Sequence, residues 1–137
     1  MPDFPLTGGC LCGGVRFEID RPLVSASYCH CTRCQRRTGT AAAASARVED
    51  GSLRIVSGEE LVREWVPPNG FAKCFCGVCG GALWSRDPHG TAIGVRLGTL
   101  DGDPGIRPQW RQFTAYAASW EDIPDDGLPR YPERRPA

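Results

Sequence analysis

Charge of one sign is nowhere in excess in this sequence. Sixteen basic and sixteen acidic side chains balance, without a dense run of either sign. Nucleic acids and anionic lipid surfaces attract proteins that carry a cationic patch. The sequence also lacks an apolar stretch long enough to cross a bilayer, and its first residues lack the pattern of a secretory signal peptide. We therefore expect a cytoplasmic protein that binds neither nucleic acid nor membrane.

Room for long helices is also scarce. Seventeen glycines and twelve prolines divide the chain into short segments, which favours an antiparallel, strand-rich fold. Residues 15–20 and 93–97 alternate apolar side chains with polar or small ones, as in strands with one buried face. Weaker strand predictions are 23–28, 53–56, 61–66, 71–75 and 82–84. One helical turn is predicted at 32–38, ended by Gly39, and the alanine run 41–44 is interpreted as strand.

The length of the chain fits one domain. At 137 residues it can bury a core without additional cross-links, and no low-complexity linker divides it. We expect a single domain over residues 1–137, with a core of about 5–131 and a flexible tail from 132 onward, where proline and charge dominate.

Cysteine is the unusual residue of this chain. The eight cysteines form a C-x-C pattern followed by two C-x-C-x-x-C patterns. Such spacings let a tight turn direct neighbouring thiolates at one tetrahedral ion, whereas near neighbours in a strand or tight turn rarely form a disulfide with each other. Many glycines flank the clusters, where backbone must fold closely around an ion. The positions are Cys10, Cys12, Cys29, Cys31, Cys34, Cys74, Cys76 and Cys79.

Zinc is the expected ion, because soft thiolate ligands in a redox-quiet protein favour it. An iron–sulfur cluster is the alternative metal site, and a disulfide framework would gain weight only in an exported protein. A C-x-C pair and a distant C-x-x-C pair can form a closed four-thiolate site of the structural type. Spacing alone leaves open whether Cys10 and Cys12 pair with the middle or the last cluster, and it leaves surplus thiols either way.

Several motifs, spread over nearly the whole chain, carry a resemblance to a known family. They are GCLCGGVRF at 9–17, CHCTRC at 29–34 with Gly39, FCGVCG at 75–80, GTLD at 98–101 and the segment 120–131, which ends in Leu-Pro-x-Tyr. In this order they resemble the glutathione-dependent formaldehyde-activating enzyme family, which includes the centromere protein V-like domains.

The resemblance implies a mainly β fold, the beta-tent, in which short antiparallel strands surround a structural zinc. By the same resemblance Cys10, Cys12, Cys76 and Cys79 hold that structural ion. A second, catalytic Zn²⁺ is implied at Cys29, Cys31 and Cys34, with its occupancy left open. Three protein ligands and an open position are the arrangement of catalytic zinc.

The implied activity is that of a zinc-dependent carbon–sulfur lyase acting on a thiol adduct such as S-hydroxymethylglutathione. Three thiolates mute the Lewis acidity of a dication, so binding of a substrate thiolate at the open position is favoured over a potent hydroxide. The implied partner is a glutathione-like thiol. Arg33, Arg36 and Arg37 are candidates to bind its carboxylates, because guanidinium pairs with carboxylate in a planar fork. An ordinary solvated face is the equally weighted alternative.

A non-enzymatic zinc module, for protein interaction or metal storage, is the alternative function. An enzyme needs an exchangeable position at the second cluster, whereas such a module would close it with Cys74 or another group. Cys74 departs from the family pattern, and packing as a small apolar side chain is the preferred interpretation over ligation. The sequence leaves the oligomeric state open, with a homo-oligomer as one option.

Two further positions bear on the site. His30 lies between two proposed ligands, and in extended backbone its side chain points away from both, so a structural role is expected. After Pro108 many members of the family carry a histidine, whereas this chain has Trp110-Arg111-Gln112. If that position shapes the pocket, the substrate differs from the formaldehyde adduct.

Overall fold

The structure, a computed structural model, describes residues 2–136. Within that range ten short strands and one α-helix form. The prediction of a mainly β fold of short, chiefly antiparallel strands is confirmed. In chain order the elements are β1 (Leu6–Gly9), β2 (Arg16–Ile19), β3 (Ser25–Cys29), α1 (Thr32–Thr38), β4 (Ala43–Arg47), β5 (Leu53–Ser57), β6 (Val62–Trp65), β7 (Ala72–Cys76), β8 (Ala82–Arg86), β9 (Ala92–Arg96) and β10 (Arg111–Gln112).

The strands form two sheets. The smaller sheet has the order β1-β2-β5 and is antiparallel throughout. The larger sheet has the order β10-β3-β4-β9-β8-β7-β6, and within it only the short pair β10–β3 is parallel. The order places β3, which ends at a cysteine, and the β7–β8 hairpin in one continuous sheet.

Both sheets contribute side chains to one hydrophobic core. In β2, Phe17 and Ile19 are fully buried while their neighbours are partly exposed, which is the alternation expected of a strand with one buried face. The ring of Phe17 meets that of Trp84 from β8 edge to face, with 5.5 Å between ring centroids. This contact joins the two sheets at the centre of the core.

Replacing Phe17 by alanine tests how much the contact between Phe17 and Trp84 contributes to stability. We expect the free energy of unfolding to fall by about 3–5 kcal/mol, because a buried aromatic side chain is lost and a cavity remains. Phe17→Leu, which keeps most of the apolar volume, is the matched control and should lose less. Urea unfolding of zinc-loaded protein measures both. Equal stability of Phe17→Ala and the unsubstituted protein would contradict this account of the core.

The sequence did not predict two of the strands, β1 and β10. β1 has the sequence LTGG, which has little intrinsic preference for strand. Its glycine is required, because a Cβ on Gly8 would lie 2.7 Å from the ring of Phe17 and 2.5 Å from the carbonyl oxygen of Thr99. β10 has two residues and forms through pairing with β3 on one side and with Arg130 on the other. Pairing across the chain, not local propensity, therefore defines both strands.

Helix α1 begins and ends where the sequence predicted. The Sγ of Cys31 caps its start by accepting a hydrogen bond from the amide of Cys34 at 3.3 Å. Gly39 ends it with φ at 68°, in the left-handed region that favours glycine. The helix lies against β4. Within residues 2–136, no helix has both the length and the apolar character to cross a membrane.

The C-terminal residues 132–135 make hydrogen bonds and a cation–π contact with the chain on either side of β10. The amide of Phe113 donates to the carbonyl of Glu133 at 3.0 Å, and that of Ala115 donates to Pro132 at 3.2 Å. The guanidinium of Arg135 lies over the ring of Trp110, 4.2 Å from its centroid. Residues 132–135 therefore contact residues 110–115, on both sides of β10; the last residue, 137, lies outside the described part.

Candidate metal centres

The first thiol group lies where the β1–β2 turn meets the β7–β8 turn. Its members are Cys10, Cys12, Cys76 and Cys79, whose Sγ atoms all lie within 4.8 Å of one another. The Sγ of Cys12 is 3.6 Å from that of Cys10 and 3.8 Å from that of Cys76. Sulfurs bound about 2.3 Å from one tetrahedral ion lie about 3.8 Å apart. The group therefore fits a metal ion and is compatible with zinc.

Similar tight turns present the two pairs of cysteines. The amide of Gly13 donates to the carbonyl of Cys10 at 3.2 Å, and the amide of Gly80 donates to that of Cys76 at 2.8 Å. Gly13 and Gly80 have φ angles of 78° and 77°, in a region that residues with a side chain rarely adopt. These glycines let each turn close tightly enough to aim two sulfurs at one point.

Backbone amides favour the thiolate form in this group. The amide of Val15 donates to the Sγ of Cys10 at 3.3 Å. Backbone hydrogen bonds, with that of Cys12 the largest, lower the pKa of Cys79 to about 6. Because metals bind thiolate and not thiol, this environment lowers the proton's competition with an ion at Cys79. At Cys12 the backbone of Gly14 lowers the pKa, but the bond with Cys10 and burial outweigh it and raise the pKa to about 11.

The second thiol group lies where β3 meets α1. Cys29 is the last residue of β3, Cys31 caps the helix and Cys34 lies in its first turn. Their Sγ atoms lie within 4.8 Å of one another, and among residues 2–136 no fourth histidine, cysteine or acidic side chain joins them. All three are half-buried. The group also fits a metal ion, with one ligand fewer than the first group.

Hydrogen bonds among the three thiols split their pKa values. Cys31 accepts from Cys29 and Cys34, which lowers its pKa to about 2. Donation to Cys31 raises the pKa of Cys29. Hydrogen bonding within the cluster thus favours one thiolate, and a bound ion would draw all three sulfurs into the thiolate form.

Cys74 lies in neither group. It is 0% exposed and belongs to the hydrophobic core, and burial raises the pKa of its thiol. Cys76 lies two residues further along β7, on the same side of the strand as Cys74. Because Cys76 is the last residue of β7, next to the β7–β8 turn, its sulfur reaches the first group. The structure therefore gives Cys74 the packing position that was the preferred interpretation.

The three candidate arginines are not brought together. Arg33 donates to the carbonyl and side-chain oxygens of Asn69 at 2.8 Å and 2.9 Å. Arg36 is exposed and lines a shallow hollow beside Trp120. Arg37 is half-buried beside the second thiol group, where the charges of Arg96, Cys34 and Cys31 act on it. Of the three, the structure therefore leaves Arg37 as the side chain free to meet a ligand near these thiols.

Two cations near the second group were missed by sequence reasoning. Arg96 of β9 donates to the Oγ of Ser45 in β4, and the charges of Cys34 and Cys29 act on it. Lys73 of β7 is half-buried close to Arg96 and Arg37. Lys73 and Arg96 each lie two residues before a motif, 75–80 and 98–101, but nothing in those motifs shows that strand order brings both side chains to the thiols.

A separate buried network surrounds His30. Its Nε2 lies 3.2 Å from Nη1 of Arg111, and Nη2 of Arg111 donates to Asp126 at 2.8 Å. The guanidinium also lies over the ring of Tyr28, 4.2 Å from its centroid. Burial lowers the pKa of His30, and the Arg111 cation lowers it further. His30 is thus held in a structural network and does not belong to the thiol group.

Replacing Asp126 by asparagine is expected to lower the melting temperature at pH 7, because the nearly buried Arg111 loses its counter-ion. Arg111 lowers the pKa of Asp126, so the pair contributes fully above about pH 4 and its contribution is lost as pH falls through that lowered pKa. The double variant Arg111→Met/Asp126→Asn should recover part of the loss. Thermal unfolding followed by circular dichroism tests this, and a double variant at least as unstable as the sum of the single variants would contradict it.

Comparisons with known proteins agree with this geometry. A profile of the family described as glutathione-dependent formaldehyde-activating enzyme matches residues 5–116, which include both thiol groups. A solved structure of a Rhodobacter sphaeroides protein is 26% identical, with a TM-score of 0.55, and the match covers 92% of this chain and 99% of that one. The comparison with curated proteins gives no match. The resemblance seen in the motifs is confirmed: this chain belongs to the glutathione-dependent formaldehyde-activating enzyme family.

Proposed function

We propose that this protein is a zinc-dependent carbon–sulfur lyase that interconverts a thiol adduct, such as S-hydroxymethylglutathione, with the free thiol and formaldehyde. Family membership supports formaldehyde-activating chemistry in general. The observation that carries the specific proposal is the group of Cys29, Cys31 and Cys34, which offers three ligands where a structural site offers four.

The reaction needs one bond change and one proton. In the direction of synthesis, the sulfur of the thiol adds to the carbonyl carbon, and the proton of the thiol passes to the carbonyl oxygen. In the lyase direction the carbon–sulfur bond breaks and the proton returns to sulfur. The barrier falls when the thiol is already a thiolate and is held close to the aldehyde.

A zinc ion held by these three cysteines would supply Lewis acidity that favours the thiolate form of a bound thiol. The protein's own residues hold the geometry. Strand β3 and helix α1 fix the three sulfurs on short, hydrogen-bonded backbone, and the amide of Cys34 bonds to Cys31. Half-burial of the group limits the water that could compete with substrate.

We assign the first group a structural role. Its four cysteines come from the β1–β2 turn of the smaller sheet and the β7–β8 turn of the larger one. An ion there would join the two sheets, as closed four-thiolate zinc sites do in small domains. Both groups can bind metal only if their cysteines are not joined in disulfides, and all of them are free thiols in the structure. A reducing cytoplasm keeps thiols in this form, and we place the protein there.

A non-enzymatic zinc module would close the second group with Cys74 or another side chain. Against that alternative, Cys74 lies in the core, and among residues 2–136 no fourth histidine, cysteine or acidic side chain joins the group. Exchange at the second group separates the two functions. In cobalt-substituted protein, added glutathione should change the visible spectrum of one ion and leave the other unchanged. A spectrum that stays unchanged at high glutathione would favour the non-enzymatic module.

The enzymatic test is a rate measurement. Zinc-loaded protein should accelerate the approach to equilibrium between formaldehyde and glutathione, followed by magnetisation exchange with ¹³C-formaldehyde. Protein with Cys31→Ser at equal concentration is the control for non-specific thiol chemistry. Equal rates with and without the unsubstituted protein would refute the lyase activity on this substrate.

A further inference from the structure

Three cations lie near the second thiol group, two on the face of the larger sheet and one on helix α1. Residues paired across antiparallel strands point to the same face. Ser85 of β8 pairs with Lys73 on one side and with Gly94 on the other. Gly94 and Arg96 are two residues apart in β9, and Arg96 pairs with Ser45. Lys73 and Arg96 therefore lie on one face, opposite the core that contains Val95 and Trp84.

The thiols belong to the same face. Ser45 pairs with Ser27, and Cys29 follows two residues later in β3. Helix α1 begins directly after β3 and lies against β4. From the helix, Arg37 meets the charges of Arg96 and of the thiols. We call Arg37, Lys73 and Arg96 the cationic group.

No carboxylate described by the structure pairs with this group. Residues 2–136 contain six ion pairs, and none of them involves a member of the cationic group. Nη1 of Arg37 and Nε of Arg96 are buried without a hydrogen-bond partner. Burial lowers the pKa of Lys73, and the neighbouring Arg96 and Arg37 lower it further. Three mutually repelling cations with unused donors are costly unless an anion meets them.

The thiol group alone does not balance this charge. Three thiolates around one dication carry a net charge of about −1, against +3 for the cationic group. An excess of about +2 stays beside the sulfurs. Guanidinium groups favour a carboxylate, which accepts two parallel hydrogen bonds from each fork. The unused donors of Arg37 and Arg96 thus match the acceptors of a carboxylate.

We propose that Arg37, Lys73 and Arg96 form a subsite that binds a carboxylate of the substrate beside the Cys29, Cys31 and Cys34 group. The inference deepens the proposed function and rests on it, because it names the substrate class as an anionic one. The carboxylate belongs either to the thiol, as in glutathione, or to an aldehyde that carries its own carboxylate. The bond change at sulfur is the same in both cases.

Binding of unreactive or single substrates tests this without turnover. Zinc-loaded protein is titrated calorimetrically with S-methylglutathione, whose thiol is blocked, and separately with glyoxylate, the simplest carboxylate-bearing aldehyde. The unsubstituted protein should bind at least one of the two. Lys73→Met and Arg37→Met should each weaken that binding by about tenfold or more, in line with loss of a charged hydrogen bond.

Matched variants separate charge from structure. Arg37→Lys keeps the cation but loses the fork, so it should bind more tightly than Arg37→Met and less tightly than the unsubstituted protein. Arg36→Met, on the exposed side of the same helix, should leave the affinity within about twofold. Unchanged zinc content in every variant shows that the metal groups are intact. The carboxylate comes from the thiol if Lys73→Met and Arg37→Met weaken the binding of S-methylglutathione, and from the aldehyde if they weaken the binding of glyoxylate. If neither probe binds, or if Lys73→Met and Arg37→Met both bind as tightly as the unsubstituted protein, the subsite is refuted, whether or not the lyase activity is found.

Discussion

Replacing Cys76 by serine is expected to unfold the protein. Cys76 lies at the end of β7, with its sulfur 3.8 Å from that of Cys12 in the β1–β2 turn. Binding of structural zinc contributes about 10–16 kcal/mol of apparent free energy in small zinc domains. The total stability of a domain is only about 5–15 kcal/mol. Loss of one ligand of such a site should therefore abolish the native state.

The measurement is the dispersion of amide signals in NMR spectra, together with the zinc content. Cys74→Ala is the matched control, because it removes a cysteine from the same strand two residues away but from the core and not from a thiol group. It should stay folded with its full zinc content. A folded, fully loaded Cys76→Ser protein would show that the first group does not stabilise the fold.

Replacing Cys31 by serine is expected to remove activity and preserve the fold. Even residues that only orient the ligands of a catalytic metal change metal affinity or activity by about 10–100-fold. Loss of a ligand itself should lower kcat/KM for the thiol adduct by at least about 100-fold. In the unsubstituted protein the Sγ of Cys31 caps α1 by accepting a hydrogen bond from the amide of Cys34. Serine is a good N-cap residue, so the helix should still begin after position 31 in the variant.

Zinc content and melting temperature accompany the kinetics. Cys31→Ser should retain the ion of the first group and lose or weaken that of the second. It should still show a cooperative melting transition, whereas Cys76→Ser should show none. Full activity of Cys31→Ser with a single bound zinc would mean that the second group is not the catalytic centre.

The sequence predicted what depends on local spacing. Alternation located β2 and β9, and Gly39 marked the end of α1. The spacing of the cysteines indicated metal sites, and the structure brings four of them together in one group and three in another. Spacing alone did not decide which pairs meet, because Cys10 and Cys76 are joined only by the way two sheets pack.

The surroundings of the second group could not be predicted in the same way. Arg33, Arg36 and Arg37 are neighbours in sequence, but one is engaged by Asn69 and one faces solvent. Lys73 and Arg96 come from strands separated by β8 and reach the thiols only through pairing register. Register is a property of the assembled sheet, so no local pattern marks these residues.

A zinc count per chain, made on freshly purified protein under reducing conditions together with a titration of free thiols, tests the central claim most directly. Two groups of clustered thiolates predict two zinc ions in the unsubstituted protein and one in Cys31→Ser. A protein without bound metal, whose cysteines are joined in disulfides, would contradict both the structural and the catalytic assignment.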